Sequence, residues 1–163
     1  MTHSEFKPAD KTVGEKSRAL FEIWQTLKGE RLAPRREEVT LAHTRALTSS
    51  LWFIDVVDGG KDYRFRLGGE EIVRFLGGRH TGQLLSELPD NPFFVRMKKT
   101  LSHCVAHGKP VSLGPSAATY PGKEHWEVEV VVLPLSEDGR TVSCLMGTLQ
   151  LWPRGTMTGK SQQ

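Results

Sequence analysis

The chain is 163 residues long, with 37% hydrophobic residues, 25% charged residues and a formal net charge of +3. Such a chain fills one domain with a core of its own, which excludes a fibre and an intrinsically disordered polymer. The charge surplus is too small, without a basic stripe, to call for nucleic acid as a partner.

No stretch comes near the roughly 18 apolar residues of a membrane span, so no membrane partner is expected. The first residues lack the apolar segment of a secretory signal, and a cytoplasmic location is the expectation. Cys104 and Cys144 sit among apolar neighbours. They read as small buried hydrophobes, because two thiols alone neither build a structural zinc site nor pair in a reducing compartment.

Residues 1–14 are polar, contain Pro8 and Gly14, and read as a disordered tail; residues 155–163 read the same way. The domain is expected over residues 15–154. Residues 17–28 place Leu20, Ile23, Trp24 and Leu27 at helical spacing ahead of Gly29, which predicts an amphipathic helix on the outside of the domain. A short helical stretch follows at 41–47. Residues 51–58 are nearly continuous in apolar side chains, as in a strand covered on both faces, with Asp55 the acid inside the run. Asp58-Gly59-Gly60 is turn chemistry. Beyond it Tyr63, Phe65 and Leu67 alternate with Asp62, Arg64 and Arg66, the pattern of a half-buried partner strand.

The middle is helical and broken: short pieces at 70–76 and 81–88, then a longer helix opened by Asn91-Pro92 and closed by Gly108 and Pro110. Three strands follow, at 111–118, 125–135 and 141–152, the last two joined by a turn at Ser136 to Gly139. Strands grouped at both ends around a helical insert predict an α+β domain on an antiparallel sheet. Alternating βα units and phosphate-cradling glycine motifs are both missing.

This order resembles the PAS (Per-Arnt-Sim) sensory fold. Trp24-x-x-Leu27-Lys-Gly29-x-Arg31-x-x-Pro34-x-Arg36 is similar to the opening of a bacterial family of small, mostly single-domain PAS-like proteins. Tyr63-Arg-Phe-Arg66-Leu67-x-Gly69, Phe75-x-Gly77 and Thr81-Gly82 resemble its central signature, and Leu133-Pro134-Leu135 and Leu145-Met-Gly147 its last two strands. The chain departs from the pattern at Glu70 and at the extra Gly78. The resemblance implies five antiparallel strands with the short helices and the Asn91 helix on one face. It implies an N-terminal helix that caps the sheet or joins a homodimer through Leu20, Ile23, Trp24 and Leu27. It also implies signal transduction without catalysis, through a separate partner such as a kinase, cyclase or regulator.

PAS pockets lie between the sheet and the covering helices. The inward residues expected there are Phe65, Leu67, Ile72, Phe75, Phe94, Met97, Leu101, Trp126, Val128 and Met146, which would hold a small apolar ligand or simply pack a core. No cofactor is expected. His103 and His107 lie on the helix that supplies haem ligands in haem-binding PAS domains. At about 100° per residue they fall away from its apolar face, on the side of Arg96 and Lys99. A metal would need a third ligand, such as His43, His80 or His125, and the flavin-adduct loop is absent. Arg64 and Arg66 share a strand face and suit an anion, or else pair with acids such as Glu127 and Glu129. Asp55 carries the competing enzymatic reading, as a carboxylate with a perturbed pKa in an apolar run.

Overall fold

A computed structural model describes residues 6–158. In chain order it contains β1 (Lys7–Pro8), α1 (Glu15–Lys28), α2 (Leu41–Thr44), β2 (Leu51–Val57), β3 (Asp62–Gly68), α3 (Glu70–Leu76), α4 (Pro92–His107), β4 (Val111–Ala117), β5 (Trp126–Leu135) and β6 (Cys144–Pro153). The strands form one antiparallel sheet in the order β1-β4-β5-β6-β2-β3. The fold is the expected α+β class, with the five expected strands as β2 to β6 and β1 added at one edge. The stretch at 81–88 makes only a single turn of 3₁₀ helix, Leu85–Glu87.

Both faces of this sheet are covered, so its central strands carry apolar residues on both sides. On one face Trp52, Ile54, Phe65, Val128, Val132 and Leu145 pack with Ile72, Phe75 and Leu76 of α3 and Phe93, Phe94, Leu101 and Cys104 of α4. On the other, Leu51, Phe53, Val131, Leu133, Leu135 and Met146 pack beneath Leu20 and Trp24 of α1. Asn91 starts α4 as expected: its side chain accepts from the Phe94 amide at 3.0 Å, ahead of Pro92 in the first turn.

The residues that carried the family resemblance fasten α1 and the loop after it to the sheet. The Trp24 indole donates to the Pro134 carbonyl at 2.7 Å. The Ser136 amide donates to Pro34 O at 3.0 Å. Arg31 grips both oxygens of Glu38, at 2.7 and 2.8 Å, inside the connecting loop.

Two expectations need correction here. Residues 7–14 are not a tail. Lys7 and Pro8 pair with Ser112 and Val111 of β4, Ala9 and Thr12 are buried, and the Val13 and Gly14 amides both donate to the Glu129 carboxylate at 2.8 Å. At the other end the Met157 and Thr158 amides donate to Glu127. Residues 1–5 and 159–163 lie outside the described residues.

The second correction follows from the first. Glu127 and Glu129 do not pair with Arg64 and Arg66, because β6 and β2 stand between β5 and β3. Both carboxylates are buried in the sheet and need donors. The segments before α1 and after β6 supply them. Burial pushes the Glu127 carboxyl up, but hydrogen bonds from the Thr158 and Met157 amides, the Thr158 hydroxyl and the Gly155 backbone together more than offset it and hold it below the usual carboxylate range. Glu129 stands at the start of α1, where the helix dipole favours negative charge.

Replacing Trp24 by Phe keeps most of the packing but strips the Pro134 carbonyl of its donor. It should cost about 1–3 kcal/mol in urea unfolding, against about 3–5 kcal/mol for Trp24→Ala. A phenylalanine variant as stable as wild type would show that the indole hydrogen bond contributes nothing.

Two carboxyls nearer the surface, half-buried Glu38 and exposed Asp138, are also held low. The Arg31 fork brings Glu38 from 4.5 to about 2, and the Thr141 and Arg140 amides bring Asp138 from 3.8 to about 2. Groups depressed in the folded state stabilise it above their unfolded pKa, and that stabilisation is lost as pH falls through the folded one. The thermal midpoint should therefore drop between about pH 4.5 and pH 2. Combining Glu38→Gln with Asp138→Asn should flatten that drop; an unchanged slope would reject the assignment.

Candidate functional site

Between α4 and the sheet lies a cavity of about 60 Å³. By the same measure about 10–15 Å³ suffices for one water, and an engineered apolar cavity of about 150 Å³ takes benzene. The space therefore suits a few waters or a ligand smaller than benzene, and a haem or flavin would have to repack the core.

Most of the lining is apolar. Trp52 and Ile54 come from β2, Phe65 from β3, Ile72 and Leu76 from α3, and Val128, Val130 and Val132 from β5. Trp52 can lie where it does because β6 has no side chain at Gly147. A Cβ there would stand 1.9 Å from the Val131 carbonyl and 2.3 Å from the Trp52 ring.

The polar lining comes from other elements. Arg96 and Thr100 project from α4, Ser116 from β4 and Thr119 from the turn after it. Ser116 reaches the cavity through a bulge. Leu113 pairs with Val130 and Ser116 with Val128, so one extra residue sits in β4 and puts both side chains on the same face. Gly114 makes the bulge possible: its φ is +91°, and a Cβ would lie 2.2 Å from the Val128 carbonyl.

A second, smaller cavity of about 20 Å³ adjoins the first through the shared walls Phe65, Ile72 and Leu76. His80 lines it. Its Nδ1 is 2.7 Å from Gln83 Oε1, while Nε2 is shut off from solvent and has no hydrogen-bond partner among the described residues.

Of the residues expected in the pocket, Phe65, Ile72, Met97, Leu101 and Val128 line the main cavity. Phe75 and Phe94 are buried just behind it, in an aromatic cluster with Phe93 and Tyr120. Trp126 is half-buried against the same core. Leu67 is 44% exposed and touches only the smaller cavity. Met146 faces the other way, fully buried under α1. Its neighbours Leu145 and Gly147 take the cavity face, and alternation sends Met146 to the other.

The remaining residues singled out are placed as follows. Of the helical stripe, Leu20 and Trp24 are 0% and 3% exposed against this chain's own sheet, which leaves Ile23 and Leu27 half-buried. Arg64 donates to Gly82 O at 2.8 Å, and Arg66 is bound to Asp55. Asp55 thus holds an ion pair beside Cys144, its partner across the sheet, on the face away from the cavity. Burial, and then the nearby Asp55 charge, push the Cys144 thiol up to about 12. Burial alone raises Cys104. Neither thiol ionises near neutrality, as inert core cysteines should not.

His103 points away from the cavity but not to open water. It stacks on Phe6 at 4.6 Å and lies against the tilted ring of His107 at 4.1 Å, and burial with the neighbouring His107 lowers its pKa. Among the described residues no group of three or more His, Cys, Asp or Glu side chains is placed to hold a metal. No helix among them is long and apolar enough to cross a membrane.

Arg96, Thr100, Ser116 and Thr119 escaped the sequence reading. Arg96 falls on the flank of the α4 wheel that reads as solvated, and Ser116 depends on a bulge that alternation cannot reveal.

The chain belongs to the PAS domain family, whose model matches residues 13–150. The solved structures similar to it include two of the PAS domain of histidine kinase ThkA, one a selenomethionine form of a double variant. Each is 14% identical, with a TM-score of 0.45, and the match covers 62% of this chain and 98% of the other. No curated protein matches the chain. PAS domains are, as a class, sensory signal-transduction modules, and the fold here is theirs.

Gly147→Ala tests how the cavity is formed. The added methyl meets both a backbone carbonyl and the Trp52 ring, so the loss in denaturant unfolding should be at least about 1–3 kcal/mol. A variant within about 0.5 kcal/mol of wild type, the range of a neutral surface change, would mean that the indole does not lie on this glycine.

Proposed function

We propose that this chain is a cytoplasmic sensory module that holds a small molecule between α4 and the sheet and passes its occupancy to a separate signalling protein, a kinase, cyclase or regulator. The observation that carries the reading is the cavity itself. A protein core normally closes to the density of an organic crystal, and this one leaves room for several waters inside mostly apolar walls. An apolar space with a few convergent polar groups is the common form of a ligand site.

Binding without turnover fits the lining. Among the described residues that line the cavity there is no carboxylate, imidazole or thiol, the groups that acid–base or nucleophilic catalysis most often needs. Asp55, the carboxylate behind the enzymatic alternative, is held by Arg66 on the opposite face. The homodimer suggested by the family resemblance would meet at Ile23 and Leu27, because Leu20 and Trp24 are sealed within one chain.

Native mass spectrometry of freshly purified protein is the test. A retained small molecule is the expected result, and it should disappear in Val130→Phe, which adds a ring to the cavity floor. The same spectrum reads the subunit count. A mass equal to the bare chain, together with a Val130→Phe variant more stable than wild type, would mark the cavity as a packing defect and sink the ligand reading.

A further inference from the structure

The cavity is two-sided. Its β2, β3, α3 and β5 walls are apolar, whereas every polar side chain in the lining belongs to α4 or to β4 and the turn behind it. These polar groups meet along one seam. Phe93 of α4 packs against Tyr120 at 5.6 Å, which fixes that flank of the helix on the turn following β4. Arg96 and Thr100 stand three and seven residues after Phe93, on the same flank. Thr100 returns its hydroxyl to the Arg96 carbonyl at 2.8 Å, which holds that turn of the helix. Ser116 and Thr119 reach the seam from the other side, Ser116 by way of the Gly114 bulge. Arg96 is the one charged side chain among the described residues of the lining.

We propose that the ligand of this cavity is a very small organic monocarboxylate, its carboxylate held at the α4–β4 seam by Arg96 with the Ser116 and Thr119 hydroxyls, and its apolar part, a short alkyl chain, lying against Trp52, Ile54, Phe65 and Leu76. The inference rests on reading the cavity as a ligand site and adds the chemistry of the ligand. A guanidinium offers the planar donor fork that a carboxylate matches, and flanking hydroxyls complete its acceptor sites. A bulge built on an obligatory glycine, whose effect is to turn a serine inward, has no use in a purely apolar pocket. The cavity's size excludes a long acyl chain, an aromatic ring and any fused-ring cofactor.

Propionate, butyrate and isobutyrate should be titrated against propanol, butanol and isobutanol. The readouts are the Trp52 indole and Arg96 side-chain resonances by NMR, with affinities from the shifts. The acids should bind the wild type about ten- to hundredfold more tightly than their alcohols, as expected for a hydrogen-bonded charge. Arg96→Met should erase that difference while leaving the alcohols unchanged, and the surface control Lys99→Met should do neither. Ser116→Ala, which removes no packing, should weaken the acids severalfold and so covers a failure of Arg96→Met to fold. Propyl phosphate separates the two anionic head groups; tighter binding than butyrate would overturn the carboxylate assignment. Acids and alcohols binding alike, or discrimination that survives Arg96→Met, would overturn the anionic ligand and leave the ligand-holding reading intact. No binding by any probe, with no retained molecule in the native mass spectrum, would overturn both.

Discussion

The ten-residue pairing of β5 with β6, in register from Trp126 opposite Pro153 to Leu135 opposite Cys144, divides the molecule into its two halves. Successive side chains of a strand point to opposite faces, so a strand buried on both sides must satisfy two cores at once. Along β5, Val128, Val130 and Val132 turn to the cavity while Val131, Leu133 and Leu135 turn to α1. A slip of one residue would exchange the two sets. It would also carry Glu127 and Glu129 onto the face that the cavity occupies. The register of this one pair therefore fixes the position of α1, the lining of the cavity and the fate of both carboxylates.

Those carboxylates explain why the segments before α1 and after β6 are built into the domain. An ionised group inside a sheet is tolerated only with hydrogen bonds to its charged form. Glu129 takes two amides from the segment that becomes the first turn of α1, and Glu127 takes two from the segment beyond β6. Gly14 packs closely at the first of these contacts: a Cβ there would lie 2.3 Å from Gln150 Oε1 and 2.7 Å from Glu129 Oε1, and both side-chain ends would have to shift. What reads as polar tail in the sequence is the donor set that makes two buried charges affordable.

The element order was legible because helices and strands differ in period, and turn residues mark the joins. The α4 start at Asn91-Pro92 and the β2–β3 hairpin are cases where local chemistry and final structure agree. The faces were less legible. Residues 144–153 are apolar on both sides of the strand, so no alternation says whether Leu145 or Met146 faces the cavity; only pairing with β5 and β2 decides. The candidate site was half visible. Phe65, Ile72, Met97, Leu101 and Val128 follow from periodicity, whereas Ser116 comes from a bulge and Arg96 from the α4 flank that a helical wheel assigns to solvent. Long-range packing, here Phe93 on Tyr120, turns that flank inward. The two-residue strand β1 has no periodic signal at all.

The residues that identify the family are mostly not those that line the cavity. Trp24, Arg31, Pro34 and Pro134 fasten α1 and its loop to the sheet, and Gly69 lets the start of α3 approach the backbone at Thr48 and Ser49, where a Cβ would lie 2.1 Å from a carbonyl oxygen. They define a scaffold, and one fold of this kind hosts many different functions in the site it frames. The two halves nonetheless share β5. Val128, Val130 and Val132 touch whatever fills the cavity, while Glu129, Val131 and Leu133, lying between and beside them, hold the start and the middle of α1. No further element intervenes between the cavity wall and that helix, so a displacement of β5 by a ligand is a displacement of the surface on which α1 rests.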